Sequence, residues 1–170
     1  NGNYYNRFYF VHPDGAVQHY DKKHLFTFGG EHKRFTAGTE RVVVNFRGVR
    51  ILLEVCYDLR FPVWSRNLGD YDMILYVASW PTPRVDAWSA LLRARAIENQ
   101  CYVAGVNRMG TDPACEYSGG SAIIDPYGKT IAECPWSRES AVSADIDMEA
   151  LQAFRKKFPV LDDADPFTLI

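Results

Sequence analysis

Val49-Arg50-Ile51-Leu52-Leu53-Glu54-Val55 is a largely apolar, β-prone run that stops on Cys56 and passes at once into Tyr57-Asp58-Leu59-Arg60-Phe61-Pro62. Such a run reads as a buried strand. Pro62 suits a first helical turn, and Phe61 before it is restricted by the proline ring. A chain that leaves a strand at a cysteine and turns toward a helix exposes that thiol at the strand's C-terminal edge, where unpaired backbone N–H groups and the helix dipole favour a thiolate. Strand-to-helix elbows present nucleophiles in hydrolases for the same geometric reason. The feature calls for an α/β fold and nominates Cys56 as a nucleophile.

The rest of the chain alternates in the same manner, without repeats or low-complexity linkers. Residues 7–11 and 16–20 read as strands around the turn His12-Pro13-Asp14-Gly15, an antiparallel hairpin suited to a sheet edge. Residues 25–38 are polar and Gly-bearing, with no sustained period, and read as a loop. Residues 42–46 and 49–55 are strands across Arg47-Gly48, and 62–68 a helix. The continuous apolar run 73–78 fits a strand covered on both faces. Asp86 is placed to cap a helix running to Gln100, with Trp88, Leu91, Leu92, Arg95 and Ala96 on one stripe that Ile97 extends. Strands are expected at 102–106, 120–124, 129–133 and 141–146, and a last helix at 148–157. Helix-separated strands combined with hairpins imply an α/β layered sandwich.

Composition removes several functional classes. At 170 residues and 47% hydrophobic content the chain can bury a substantial core, and its length fits one domain, residues 1–170. A formal net charge of -2, with no long basic block, argues against nucleic-acid or anionic-membrane partners and for a small-molecule substrate. No apolar run approaches a bilayer span, and Asn1-Gly2-Asn3-Tyr4-Tyr5 lacks the regions of a signal peptide. Cys56, Cys101, Cys115 and Cys134 contain no C-x-x-C pair, so neither a zinc knuckle nor a dithiol motif is expected. Free thiols in a reducing cytoplasm are the simplest account.

Five fragments then occur in order: Tyr20-Asp21-Lys22-Lys23-His24-Leu25-Phe26, Gly30-Glu31-His32-Lys33-Arg34-Phe35, Val55-Cys56-Tyr57-Asp58-Leu59-Arg60-Phe61-Pro62, Ala78-Ser79-Trp80-Pro81 and Arg93-Ala94-Arg95-Ala96-Ile97-Glu98-Asn99-Gln100. On these the chain resembles the carbon-nitrogen hydrolase, or nitrilase, superfamily, and is most similar to its omega-amidase-like branch. The resemblance implies a four-layer αββα sandwich, paired across subunits as a homodimer or higher homo-oligomer, that cleaves non-peptide C–N bonds through a thioester. No cofactor is implied. Carried over by motif, the nucleophile is Cys56, the catalytic lysine Lys22 and an assisting glutamate Glu31. The family's first glutamate lies upstream of the lysine motif and has no match in this sequence, so the chain reads as roughly the C-terminal two-thirds of a family domain.

The chemistry explains the residue types. Amide carbonyls are poor electrophiles, so attack needs thiolate character and a base that later activates water. Lys22 and the backbone N–H of Tyr57, the residue after the nucleophile, are placed to stabilise the oxyanion. Arg60, four residues past Cys56, carries a fork that fits a carboxylate, which suits an omega-amide of a dicarboxylic α-keto acid. Its competing role is an ion pair with Asp58 or another acid. Trp80 belongs on the same strand-end rim, as a pocket wall or as core. Glu54, two residues before Cys56, shares its strand face only if the elbow does not break the alignment, and a polar partner elsewhere is the alternative. His12, His19, His24 and His32 leave a Cys-His hydrolase open. A nitrilase, a carbamoylase, an acyltransferase and a catalytically silent assembly subunit are further alternatives.

Overall fold

The computed structural model describes residues 2–168. A hairpin comes first, β1 (Arg7–Val11) with β2 (Val17–Asp21), antiparallel across the expected turn. Next are β3 (Val43–Phe46), β4 (Val49–Val55), a 3-10 turn over Cys56–Arg60 and the single-turn α1 (Pro62–Ser65). β5 (Met73–Ala78), α2 (Val85–Glu98) and β6 (Tyr102–Asn107) form the central crossover. The short ribbon β7 (Met109–Thr111) with β8 (Glu116–Ser118), the hairpin β9 (Ala122–Ile124) with β10 (Thr130–Glu133), and α3 (Met148–Lys157) complete the described chain.

One six-stranded mixed sheet, in the order β10-β9-β6-β5-β4-β3, organises these elements. Its centre is the parallel trio β4, β5 and β6. Period-two alternation along β4 separates two cores. Leu52 joins Ile74, Tyr76 and Val103 beneath Trp88, Leu92 and Ala96 of α2. Ile51, Leu53 and Val55 face the other way, packing with Tyr20 of the hairpin and Trp64 of α1. Covered on both faces, β4 is buried almost throughout, which is why it reads as a continuous apolar run. Helix α2 lies close on β6 because Gly105 carries no side chain: a Cβ there would stand 2.7 Å from both Leu92 and Trp88. The chain is thus of the expected mixed α/β class. Of the layers the resemblance implies, the described residues supply a helical layer, the six-stranded sheet and the hairpin over its second face.

Three expectations need correction. The helix at 62–68 is only one turn, because Asn67 diverts the hydrogen bonding: its backbone N–H donates to Asn99 Oδ1 at 2.9 Å and its amide donates to the carbonyls of Tyr71 and Asn99. Residues 141–146 alternate like a strand but take up no ladder partner among the described residues, and without one an extended segment is not a strand. In α2 the buried stripe is Trp88, Leu92, Arg95 and Ala96, whereas Ile97 is exposed and Asp86 sits inside the first turn rather than capping it. Arg95 is buried because it works as a tie: its guanidinium donates to Leu59 O at 2.6 Å and to Glu98 at 2.8 Å, holding α2 against the turn after Cys56.

Candidate active site

Cys56 sits where β4 becomes the 3-10 turn, at φ +50°, in the left-handed region that side-chain-bearing residues rarely enter. Such a conformation costs about 1–2 kcal/mol and persists only where the surroundings enforce it. Asp58 does the enforcing. Fully buried, its carboxylate accepts from the Val55 N–H at 3.1 Å, closing the turn, and from the Tyr20 hydroxyl, the His24 N–H and His24 Nδ1 at 2.8, 2.9 and 2.8 Å. Tyr20 and His24 flank Lys22, so one carboxylate fixes the cysteine elbow relative to the lysine.

Cys56, Tyr57, Lys22, Glu31, Arg60 and Trp80, the six site residues nominated from sequence, all line one cavity of about 450 Å³. Lys22, only 3% exposed, donates through Nζ to Glu31 Oε2 at 2.7 Å. Glu31 also accepts from the Phe26 N–H at 2.6 Å and from the Asn6 amide at 2.8 Å. Burial by itself raises the Glu31 carboxyl, but the donors Lys22, Asn6 and Phe26 outweigh it and hold the group below the usual carboxylate range. Tyr57 lies at the start of the 3-10 turn, where backbone N–H groups have no partner within the turn.

The resting state of Cys56 differs from the expectation of a stabilised thiolate. Burial pushes the thiol up from its ordinary value; the Lys22 charge and the contact with Ser79 O at 3.8 Å oppose this without cancelling it. Desolvation outweighs what a turn of this length supplies at its N-terminus. The group therefore rests as a thiol that must lose its proton during attack.

Other candidates fall away. None of the four histidines lines the cavity, and the His24 ring is stacked on Phe61 at 3.7 Å, which removes the Cys-His alternative. Arg60 does not pair with Asp58; its guanidinium lies 4.9 Å from the Trp80 ring centroid. Trp80 is both core and wall: 3% exposed, it reaches the cavity while its backbone N–H donates to Asn107 Oδ1 at 2.7 Å. Glu54 turns away, as an elbow requires, and is sealed on the α2 side, accepting from Ser65 Oγ at 2.9 Å with Oε1 unpartnered.

Burial, then the charge of Asp58, push the Glu54 carboxyl up to about 8, against the hydroxyls of Tyr76 and Ser65 and the charge of Arg95. Above its unfolded value of 4.5 the folded state holds a proton that the unfolded chain has released. Stability is therefore complete below about 4.5 and falls as pH rises toward 8. Glu54→Gln removes this dependence. In urea unfolding between pH 5 and 8, the parent is expected to lose about 1.4 kcal/mol per pH unit relative to the variant. Parallel pH profiles would show that Glu54 ionises alike in both states.

Asn6, Phe26 and Arg84 were not nominated from the sequence, and Asp58 entered there only as a candidate ion-pair partner of Arg60. Phe26 lies inside one of the five motif fragments and Arg84 just beyond another, but Asn6 carries no local signal. Its place depends on a contact with Glu31 across 25 residues.

Fold and site together define a class: α/β proteins that present a cysteine from a strand-end elbow to a buried lysine–carboxylate pair. The family model for carbon-nitrogen hydrolases matches residues 1–156, and the chain belongs to that family. It is 55% identical over 165 residues to the omega-amidase YafV of Escherichia coli K12, covering 96% of this chain and 64% of that protein. It is 40% identical over 166 residues to the 2-oxoglutaramate amidase of Bacillus subtilis, with coverage of 96% and 64%. The chain thus spans a little under two thirds of the length of these relatives. The crystal structure of XC1258 from Xanthomonas campestris, a CN-hydrolase superfamily protein with an arsenic adduct in its active site, matches with a TM-score of 0.93 and 48% identity, over 97% of this chain and 65% of that one. No helix among the described residues is long and apolar enough to cross a membrane.

Proposed function

We propose that the protein is an omega-amidase: it hydrolyses the terminal carboxamide of a small dicarboxylic 2-oxo acid through an acyl thioester on Cys56. The observation that carries this is the convergence of the Cys56 elbow and the Lys22–Glu31 pair on one cavity. Similarity to the omega-amidase and the 2-oxoglutaramate amidase supports the same reaction. The arsenic adduct in the active site of the Xanthomonas relative is in keeping with the thiol part of this reading, since arsenic is a thiol-seeking element.

In this mechanism Sγ attacks the amide carbon, the C=O electron pair moves to oxygen, and Lys22 Nζ with the Tyr57 N–H receives the developing charge. The thiol proton is passed on to the departing nitrogen, ammonia leaves, and water then cleaves the thioester. Glu31 is a poor proton acceptor because three donors already occupy it; its part is to aim Lys22. The family's acid–base glutamate, upstream of the lysine motif, has no match among residues 1–170. Arg60, its guanidinium 4.9 Å from the Trp80 ring centroid, presents its fork to the substrate carboxylate. A homodimeric or larger assembly and a cytoplasmic location, in keeping with four free cysteines, belong to the same reading, with neither nucleic acid nor membrane as partner.

The test is to supply the intact protein with 2-oxoglutaramate, follow ammonia release, and acid-quench for peptide mass analysis. Ammonia release with an acyl increment on the Cys56 peptide is expected. Release without any increment on that peptide, or with one on another cysteine, would overturn the mechanism.

A further inference from the structure

The charge lining the cavity exceeds what amide cleavage requires. Its charged residues are Lys22, Glu31, Arg60 and Arg84. Lys22 and Glu31 satisfy each other, which leaves two guanidinium groups. Neither has a carboxylate within ion-pair distance among the described residues, and of the arginines without one these two are the pair that line the cavity. Each lies instead against an aromatic ring of the same cavity: Arg60 on Trp80, and Arg84 at 5.4 Å from the centroid of Phe26. A guanidinium engaged by an aromatic ring and by no carboxylate has N–H donors left for an oxygen pair. The Arg84 backbone is pinned too, because its carbonyl accepts from the Trp80 indole N–H at 2.6 Å.

We infer that Arg84 is a specificity-determining residue, a second reader that with Arg60 selects amides of 2-oxo acids over the corresponding amides of 2-amino acids. The inference rests on the amidase reading and adds to it the group that discriminates. A 2-oxo acid end presents three acceptor oxygens, two on the carboxylate and one on the ketone, and two forks supply donors for all of them. In the 2-amino analogue an ammonium replaces the ketone oxygen. That group has donors but no acceptor, and it would meet two guanidinium groups that have no ion-pair partner among the described residues.

Steady-state kinetics of the intact protein on 2-oxoglutaramate and on L-glutamine, with Arg84→Gln and Arg84→Lys, test this. Arg84→Gln is expected to raise KM for 2-oxoglutaramate about 10- to 100-fold with a smaller change in kcat, and to shrink the preference over glutamine by a similar factor. Arg84→Lys, which restores charge but not the fork, is expected to recover only part of it. Equal losses on both substrates would mark a structural role and overturn the inference. Calorimetric binding of 2-oxoglutarate to the Cys56→Ser protein, with and without Arg84→Gln, separates the two proposals. Binding weakened by Arg84→Gln supports the anion reader even if the parent releases no ammonia, a result that would count against the amidase reading alone. Binding indifferent to Arg84 would overturn the reader itself.

Discussion

Cys56→Ala is expected to lower kcat for 2-oxoglutaramate hydrolysis on the order of 10⁴-fold or more, as removal of a covalent nucleophile does elsewhere. Cys56→Ser should fare nearly as badly. The thiol is already pushed up by burial, and a serine hydroxyl, a far weaker acid at the same position, would be harder still to ionise beside Lys22. The fold should be indifferent to either change. Cysteine, serine and alanine all bear a Cβ, so each meets the same strain at φ +50°, and the Asp58 bonds that close the elbow do not involve Sγ. Single-turnover ammonia release paired with thermal melts checks both halves. Activity above about one per cent in a well-folded Cys56→Ala protein would remove the nucleophile from its role.

Lys22→Ala should cost about 3–4 kcal/mol of transition-state stabilisation, some 10²- to 10³-fold in kcat, through loss of an oxyanion donor in a water-poor site. It should also destabilise the fold. Lys22 is 3% exposed and its partner Glu31 has a side chain only 11% exposed, so the variant leaves a carboxylate in the wall with its counter-ion gone. Breaking a buried pair on one side costs about 3–5 kcal/mol; Glu31 keeps the donors Asn6 and Phe26 N–H, which places this case at or below the lower end. The double variant Lys22→Met with Glu31→Gln separates the two effects. Removing both charges should restore most of the stability, because no uncompensated ion is left, while leaving activity as low as in Lys22→Ala. Recovery of turnover in the double variant would show that Lys22 acts on the fold and not on the oxyanion.

Residues whose behaviour depends on near neighbours were readable in advance. The strand ending on Cys56 and the turn that follows were visible because both come from one short change of composition, and β4, β5 and α3 begin and end where periodicity and capping place them. Lys22 and Glu31 were legible through motif order. Their pairing at 2.7 Å was not, since periodicity carries no information about contacts across a loop. Where local reading failed, the presence or the lack of a distant partner decided the outcome. Asn99 stops the helix after one turn by capturing Asn67, 32 residues away. Residues 141–146 have a strand's pattern without a strand's neighbour among the described residues.

The sequence alone determined the α/β class, the cysteine at the elbow and the family, because alternation, turn chemistry and motif order are properties of a line of residues. Tertiary structure decided the state of the thiol, the engagement of His24 by Asp58 in place of the cysteine, and the place of Arg60 and Arg84 in the cavity without an acid partner among the described residues. Those outcomes are set by desolvation and by charges that act through space over a few ångströms, and the residues that supply them lie tens of positions apart along the chain.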